Sequence, residues 1–199
     1  ALSLDAGTAA HHDAFRQMEG SFSRTLAGAA YAHEAGIPLQ INTCFGGWNA
    51  GMFEEIAAQV EALGVVFWEV FFLVPTGRAR REEILSPEEH ERVYNWLYDL
   101  APRVAFRVKT TMGQPFRRVT LQRARNDGAQ ADGVPSTNDG KGICFISHIG
   151  EIYPSGFLPL RCGNVRTNSL VEVYQTHPLF QALRDPGRLK GKCGVCPFN

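Results

Sequence analysis

The sequence predicts an α/β fold of parallel strands, followed by a smaller unit of different character. Three observations carry that expectation. Strand-like and helix-like segments alternate from residue 2 to residue 110. One strand candidate, residues 65–74 (VVFWEVFFLV), is apolar almost without interruption, the pattern of a strand covered on both faces. Beyond a polar stretch, residues 123–141, the pattern changes to short strands, tight turns and a pair of closely spaced cysteines. Alternating strand and helix makes right-handed βαβ units, and hence a parallel sheet or barrel.

The elements follow in order. Leu2-Ser3-Leu4-Asp5 reads as the end of a strand, and Ser21 to Ala35 as a helix stopped by Gly36 and Pro38. Leu39 to Thr43 is a strand with Gly46-Gly47 behind it. Met52 to Leu63 carries Phe53, Ile56, Ala57, Val60 and Leu63 on one helical stripe and closes on Gly64. Ser86-Pro87-Glu88-Glu89 opens a helix to about Leu100: serine as N-cap, proline in the first turn, glutamate three places on. Val104 to Thr110 is the next strand. Residues 123–142 are rich in Gly, Asp, Asn, Gln and Ala and read as a linker. Ile143 to Ser147 and Glu151 to Pro154, joined by a turn at Ile149-Gly150, predict a β-hairpin. Short helices follow over Ser169 to Gln175 and Leu179 to Arg184.

Bulk properties narrow the function. Lys plus Arg and Asp plus Glu both number 20, so the net charge is zero and there is no electrostatic footprint for nucleic acid or an anionic membrane. No apolar run approaches the length that spans a bilayer. Five cysteines, an odd count with a C-G-V-C pair, argue against a secreted disulfide framework and for a cytoplasmic metal or redox site. Cys193 and Cys196 are spaced to hold one metal from a single turn, as an iron–sulfur cluster, a zinc knuckle or simply two buried thiols. Cys162 and Cys144 are the candidates to complete the set, while Cys44 reads as packing or pocket lining. His11-His12-Asp13 reads either as a metal or substrate contact or as a polar loop. Arg117 and Arg118 suit either a substrate carboxylate or a solvated helix face. The predicted strand ends carry Ser3, Asp5, Asn42, Thr43, Pro75 and Gly77 where chemistry sits in such barrels.

In order, residues 142–160 (GICFISHIGEIYPSGFLPL), Cys162-Gly163-Asn164-Val165, Ser169-Leu170, Pro178-Leu179-Phe180 and Cys193-Gly194-Val195-Cys196 resemble the SPASM or twitch domain of radical S-adenosylmethionine (SAM) enzymes. Ser3-Leu4-Asp5, Ile41-Asn42-Thr43, residues 72–78 and Lys109-Thr110-Thr111 with Arg117-Arg118 resemble the third to sixth strands of the matching core. The resemblance implies the C-terminal half of a partial (β/α)6 TIM-like barrel (1–122), a linker (123–141) and a truncated α+β SPASM/twitch domain (142–199). It also implies reductive SAM cleavage to a 5′-deoxyadenosyl radical, and hydrogen abstraction from a porphyrin-like or peptide substrate. The cofactors implied are SAM, touched by Ser3, Asp5, Asn42, Thr43, Pro75 and Gly77, and an auxiliary 4Fe-4S cluster on Cys144, Cys162, Cys193 and Cys196. An electron donor such as ferredoxin or flavodoxin is the implied partner. Asn42, Thr43, Ser3 and Asp5 have a plainer reading as local turn caps, and Pro75 and Gly77 as a strand-ending turn. Two departures stand out: the chain contains no Cys-x3-Cys-x2-Cys loop for the SAM cluster, and Ser155 stands where the family often has cysteine. With no initial Met and an end just past the cysteine pair, the chain reads as a fragment, inactive alone. The rival expectation is a non-catalytic binding module stabilised by zinc or an iron–sulfur centre.

Overall fold

The computed structural model describes residues 1–75, 77, 79–128 and 138–198. The chain divides into two compact units, residues 1–130 and residues 131–199.

In the first unit, β1 (Leu2–Ser3) leads into α1 (Ala9–Arg16) and α2 (Ser21–Glu34). Then come β2 (Gln40–Phe45), α3 (Phe53–Ala62), β3 (Phe67–Phe72), α4 (Pro87–Leu100), β4 (Arg107–Thr111) and α5 (Pro115–Asn126). The four strands form one parallel sheet in the order β1-β2-β3-β4. Sequential order with right-handed crossovers sends the connecting helices to one face, and burial follows. Ile41, Phe45, Trp68, Val70 and Phe72 are buried with Ile56, Val60, Val93, Leu97 and Val119 from α3, α4 and α5. Ser86 caps α4 as expected: its Oγ accepts the Glu89 N–H (3.1 Å) and the Glu89 carboxylate accepts the Ser86 N–H (2.7 Å).

Three sequence expectations change. The strand expected over 65–74 spans only Phe67–Phe72, and its burial alternates: Trp68, Val70 and Phe72 are buried, while Phe67, Glu69 and Phe71 are only partly so. A period-two pattern with a glutamate in its centre belongs to a strand with one covered face. The polar run His11-His12-Asp13 is helical, within α1. Thr8 caps that helix, and the Asp13 carboxylate accepts the N–H groups of Gly20 (2.6 Å) and Phe22 (2.7 Å) at the start of α2. Finally, the stretch expected to be linker from Arg123 is helical to Asn126. There Arg123 pairs with Asp99 of α4 (2.6 Å) and donates to Asn95 (3.0 Å). Arg118 forms an ion pair with Glu91 of α4, so its guanidinium serves the α4–α5 contact. Residues 129–137 of the expected linker lie outside the described residues.

In the second unit, β5 (Phe145–Ile146), β6 (Glu151–Tyr153) and β7 (Gly163–Asn164) form an antiparallel sheet in that order. The hairpin is the one expected; β7 is an addition. The short helices α6 (Leu170–Thr176), capped by Ser169, and α7 (Pro178–Arg184) bury Val173 and Phe180 against Ile152. A last turn, α8 (Gly191–Gly194), carries Cys193. No helix among the described residues is long and apolar enough to cross a membrane.

Candidate functional site

The C-terminal ends of β1 and β2 are tied by buried polar groups. Asp5 is 1% exposed; its Oδ2 pairs with Arg16 (Nη2 at 2.5 Å, Nε at 2.8 Å) and its Oδ1 accepts the Cys44 N–H (2.9 Å). The Asp5 N–H donates to His12 Nδ1 (3.1 Å), which puts the imidazole hydrogen on Nε2, 3.4 Å from Ser21 Oγ. Burial pushes the His12 pKa below its ordinary value, against the nearby Asp5 charge. Asn49, also buried, donates to Asp5 O (2.7 Å) and Cys44 O (2.9 Å) and accepts the Gly46 N–H (3.0 Å). The Trp48 ring stacks on Phe15 (centroids 4.3 Å apart), and its buried Nε1 has no hydrogen-bond partner among the described residues. The sequence reading missed Asn49 and Trp48, although both follow the Gly46-Gly47 pair that it marked.

The expected SAM-binding residues separate by face. Side chains alternate along a strand. Thr43 is therefore fully buried on the helix-covered face, its hydroxyl donating to Leu4 O (2.7 Å) and accepting from Trp68 Nε1 (2.8 Å). It bridges β1 and β3, its hydroxyl turned to the face opposite the one on which Asn42 lies. Asn42 lies on the opposite, open face beside Ser3, its register partner. There Gln40 Nε2 donates to Asn42 Oδ1 (2.7 Å) and to Glu69 Oε2 (3.0 Å), while Glu69 Oε1 accepts from Lys109 Nζ (3.0 Å) and Thr111 Oγ1 (2.7 Å). Partial burial pulls the Glu69 pKa up. The hydrogen bonds from Thr111 and Lys109, the Lys109 charge and Gln40 outweigh it and hold the carboxyl below its usual range. Cys44 is on this face too, its thiol pushed up to about 11 by burial and by Asp5, so it is protonated. Pro75 and Gly77 are exposed beyond the end of β3; Thr76 and Arg78 of the same motif lie outside the described residues. A surface concavity of about 440 Å³ runs along α4 at Pro87, Glu91 and Asn95.

In the second unit, no disulfide joins any of the cysteines. Cys144 and Cys162 both pack against the Ile152–Val173–Phe180 cluster. Cys193 is exposed, and the Cys196 N–H donates to Cys193 O (3.3 Å). Among the described residues no three His, Cys, Asp or Glu side chains are gathered as a metal site, so the expected four-thiol set is not assembled. Its donor chemistry suits an iron–sulfur cluster. Thiolate sites of this kind draw together with the metal, because binding free energy is also folding free energy.

The first unit is a parallel α/β sheet with a polar open face, and the second unit carries four thiols; comparison supplies the relatives. No family model matches the chain. It is 35% identical to the AdoMet-dependent heme synthase of Methanosarcina barkeri over its whole length and 59% of that protein, and 36% identical to the enzyme of the same name from Nitratidesulfovibrio vulgaris over 57% of that protein. The Bacillus subtilis antilisterial bacteriocin subtilosin biosynthesis protein AlbA matches at 24% identity over 98% of this chain. The crystal structure of Streptococcus suis SuiB shares the fold, with a TM-score of 0.62, 15% identity, and coverage of 92% of this chain and 44% of that one. SuiB structures bound to S-adenosylmethionine and to its precursor peptide SuiA align with TM-scores of 0.61. Along its whole length the chain is similar to proteins named AdoMet-dependent heme synthase, and it shares its fold with SuiB. It spans a little over half the length of the curated heme synthases it matches.

Proposed function

We propose that this chain is the barrel half and auxiliary-cluster unit of a radical SAM enzyme of the heme-synthase kind, acting on a carboxylate-bearing tetrapyrrole. The observation that carries the reading is identity of 35–36% along the entire chain to proteins of that one name. S-adenosylmethionine bound beside a reduced 4Fe-4S cluster supplies hydrogen-atom abstraction. The first unit has one cysteine, Cys44, a protonated thiol, so the sulfurs for that cluster come from outside these 199 residues. Ser3 and Asn42 fit a polar ligand on the open face, and Pro75 and Gly77 line its rim. Asp5 orders the strand ends through Arg16 and the Cys44 amide. Trp48 Nε1, just past the end of β2, is a buried donor with no acceptor among the described residues. Cys144, Cys162, Cys193 and Cys196 would hold the auxiliary cluster, a one-electron store fed by a ferredoxin- or flavodoxin-type donor. The second unit is a SPASM-type domain in this reading.

A peptide substrate is the second reading, favoured by the likeness to AlbA and by the fold shared with SuiB. One experiment tests both. The full-length protein, reconstituted anaerobically with iron and sulfide and reduced by dithionite, is incubated with S-adenosylmethionine. Formation of 5′-deoxyadenosine, raised by an iron-free tetrapyrrole carboxylate or by iron-loaded porphyrin, supports the proposal. No 5′-deoxyadenosine under any condition would sink it, and stimulation by a peptide alone would move it to the second reading.

A further inference from the structure

The open face of the sheet carries a charge pattern that strand packing alone does not require. A strand buried between two apolar layers is built from Val, Ile and Leu. Here the register rows of β2, β3 and β4 read Gln40–Phe67–Arg107, then Asn42–Glu69–Lys109, then Cys44–Phe71–Thr111. Glu69 sits in the middle, its side chain 15% exposed, and three side chains donate to it: Lys109, Thr111 and Gln40. Lys109 is 48% exposed. An ammonium carries three N–H groups, and here one is directed at Glu69 Oε1 (3.0 Å). Two residues back on the same strand and face, the Arg107 guanidinium lies 5.8 Å from the Phe67 ring centre and is in no salt bridge among the described residues. These three rows hold two cations and one carboxylate, a net positive surface, with Phe67 and Phe71 on either side of Glu69 as flat apolar neighbours.

We propose that Lys109 binds a carboxylate of the substrate on this face and that Glu69 is the positioning residue that seats it. The inference rests on the tetrapyrrole reading above and gives that substrate's acidic group a partner. An ammonium on a flexible four-carbon stem loses much rotamer freedom when it binds. Glu69, fixed by Thr111 and Gln40, takes up that loss before the substrate arrives. The phenyl rings offer the apolar body of a flat substrate a surface while the ammonium meets its charged edge.

The test uses the full-length protein, with protoporphyrin IX and its dimethyl ester as probes, titrated by fluorescence quenching. Lys109→Met is expected to weaken the diacid about two- to fivefold, the scale of a partly exposed ion pair, and to leave the diester unchanged. Lys109→Arg, which keeps the charge, restores diacid binding, and Glu69→Gln weakens the diacid in the same direction as Lys109→Met. Unchanged ester binding shows that the variants are folded. Diacid binding by Lys109→Met equal to the wild type, or equal losses for diacid and diester, overturns the inference and leaves the tetrapyrrole reading standing. A wild-type protein that binds neither porphyrin overturns both.

Discussion

Asn42 and Thr43 are adjacent in sequence and opposite in role. The sequence marks both as polar residues near the end of an apolar strand, and that much is correct. It does not say which of the two faces inward, because the next strand's partners decide that. Trp68 settles it: an indole N–H buried on the helix side needs an acceptor, and Thr43 Oγ provides one. Thr43→Val keeps the shape and removes the hydroxyl, leaving Leu4 O without its donor and Trp68 Nε1 without its acceptor. The expected loss is about 1–3 kcal/mol in chemical denaturation, with Thr43→Ser close to the wild type. A Thr43→Val protein as stable as the parent would show that the bridge carries no weight. Glu69 was equally hard to see. It stood in the sequence as one charge inside an apolar run, and its role emerges only when register brings Gln40, Lys109 and Thr111 alongside it.

At the scale of elements, legibility followed local chemistry. The start of α4 was readable because its capping box lies within four consecutive residues, and the short helices α6 and α7 lie close to the spans expected for them, 169–175 and 179–184. Ser86→Ala removes the acceptor for the Glu89 N–H and is expected to cost about 1 kcal/mol, read as a lower melting temperature. An unchanged melting temperature would mean that the α4 start is held by packing alone. The helix α1 was not readable. Its sequence, AAHHDAFR, has too few apolar side chains for a stripe, and its buried member is His12, a residue counted as polar. What holds α1 is tertiary: the Asp5 N–H to His12, Arg16 to Asp5, and Asp13 capping the start of α2. Likewise α5 runs into a stretch of low apolar content because arginines on one side of it find Glu91, Asn95 and Asp99 on α4.

For the molecule as a whole, the sequence conveyed an α/β first part and a second part of hairpin and short helices, and both kinds of structure are present. It also pointed to four thiols, yet the fold leaves them ungathered. The physical reason is the tail. Residues 189–198 are mostly exposed and none is buried, so a short turn around Cys193 has no core of its own. If the four thiols form one site, anaerobic reconstitution of the chain with iron and sulfide yields a brown protein. Cys193→Ala with Cys196→Ala then abolishes iron uptake, Cys144→Ala and Cys162→Ala each lower it, and Cys44→Ala leaves it unchanged. Iron content indifferent to the Cys193–Cys196 pair would remove the cluster from this unit.

The two outermost strands of the parallel sheet, Leu2–Ser3 and Arg107–Thr111, are hydrogen-bonded along one side only among the described residues. Their outer amides and carbonyls require water or another strand. On the longer of these margins Arg107 and Lys109 alternate with Val108. Two copies laid margin to margin would bring guanidinium and ammonium groups together on one surface, and such like-charge apposition repels. The margin therefore discriminates: it discourages self-pairing while remaining receptive to a strand of different composition.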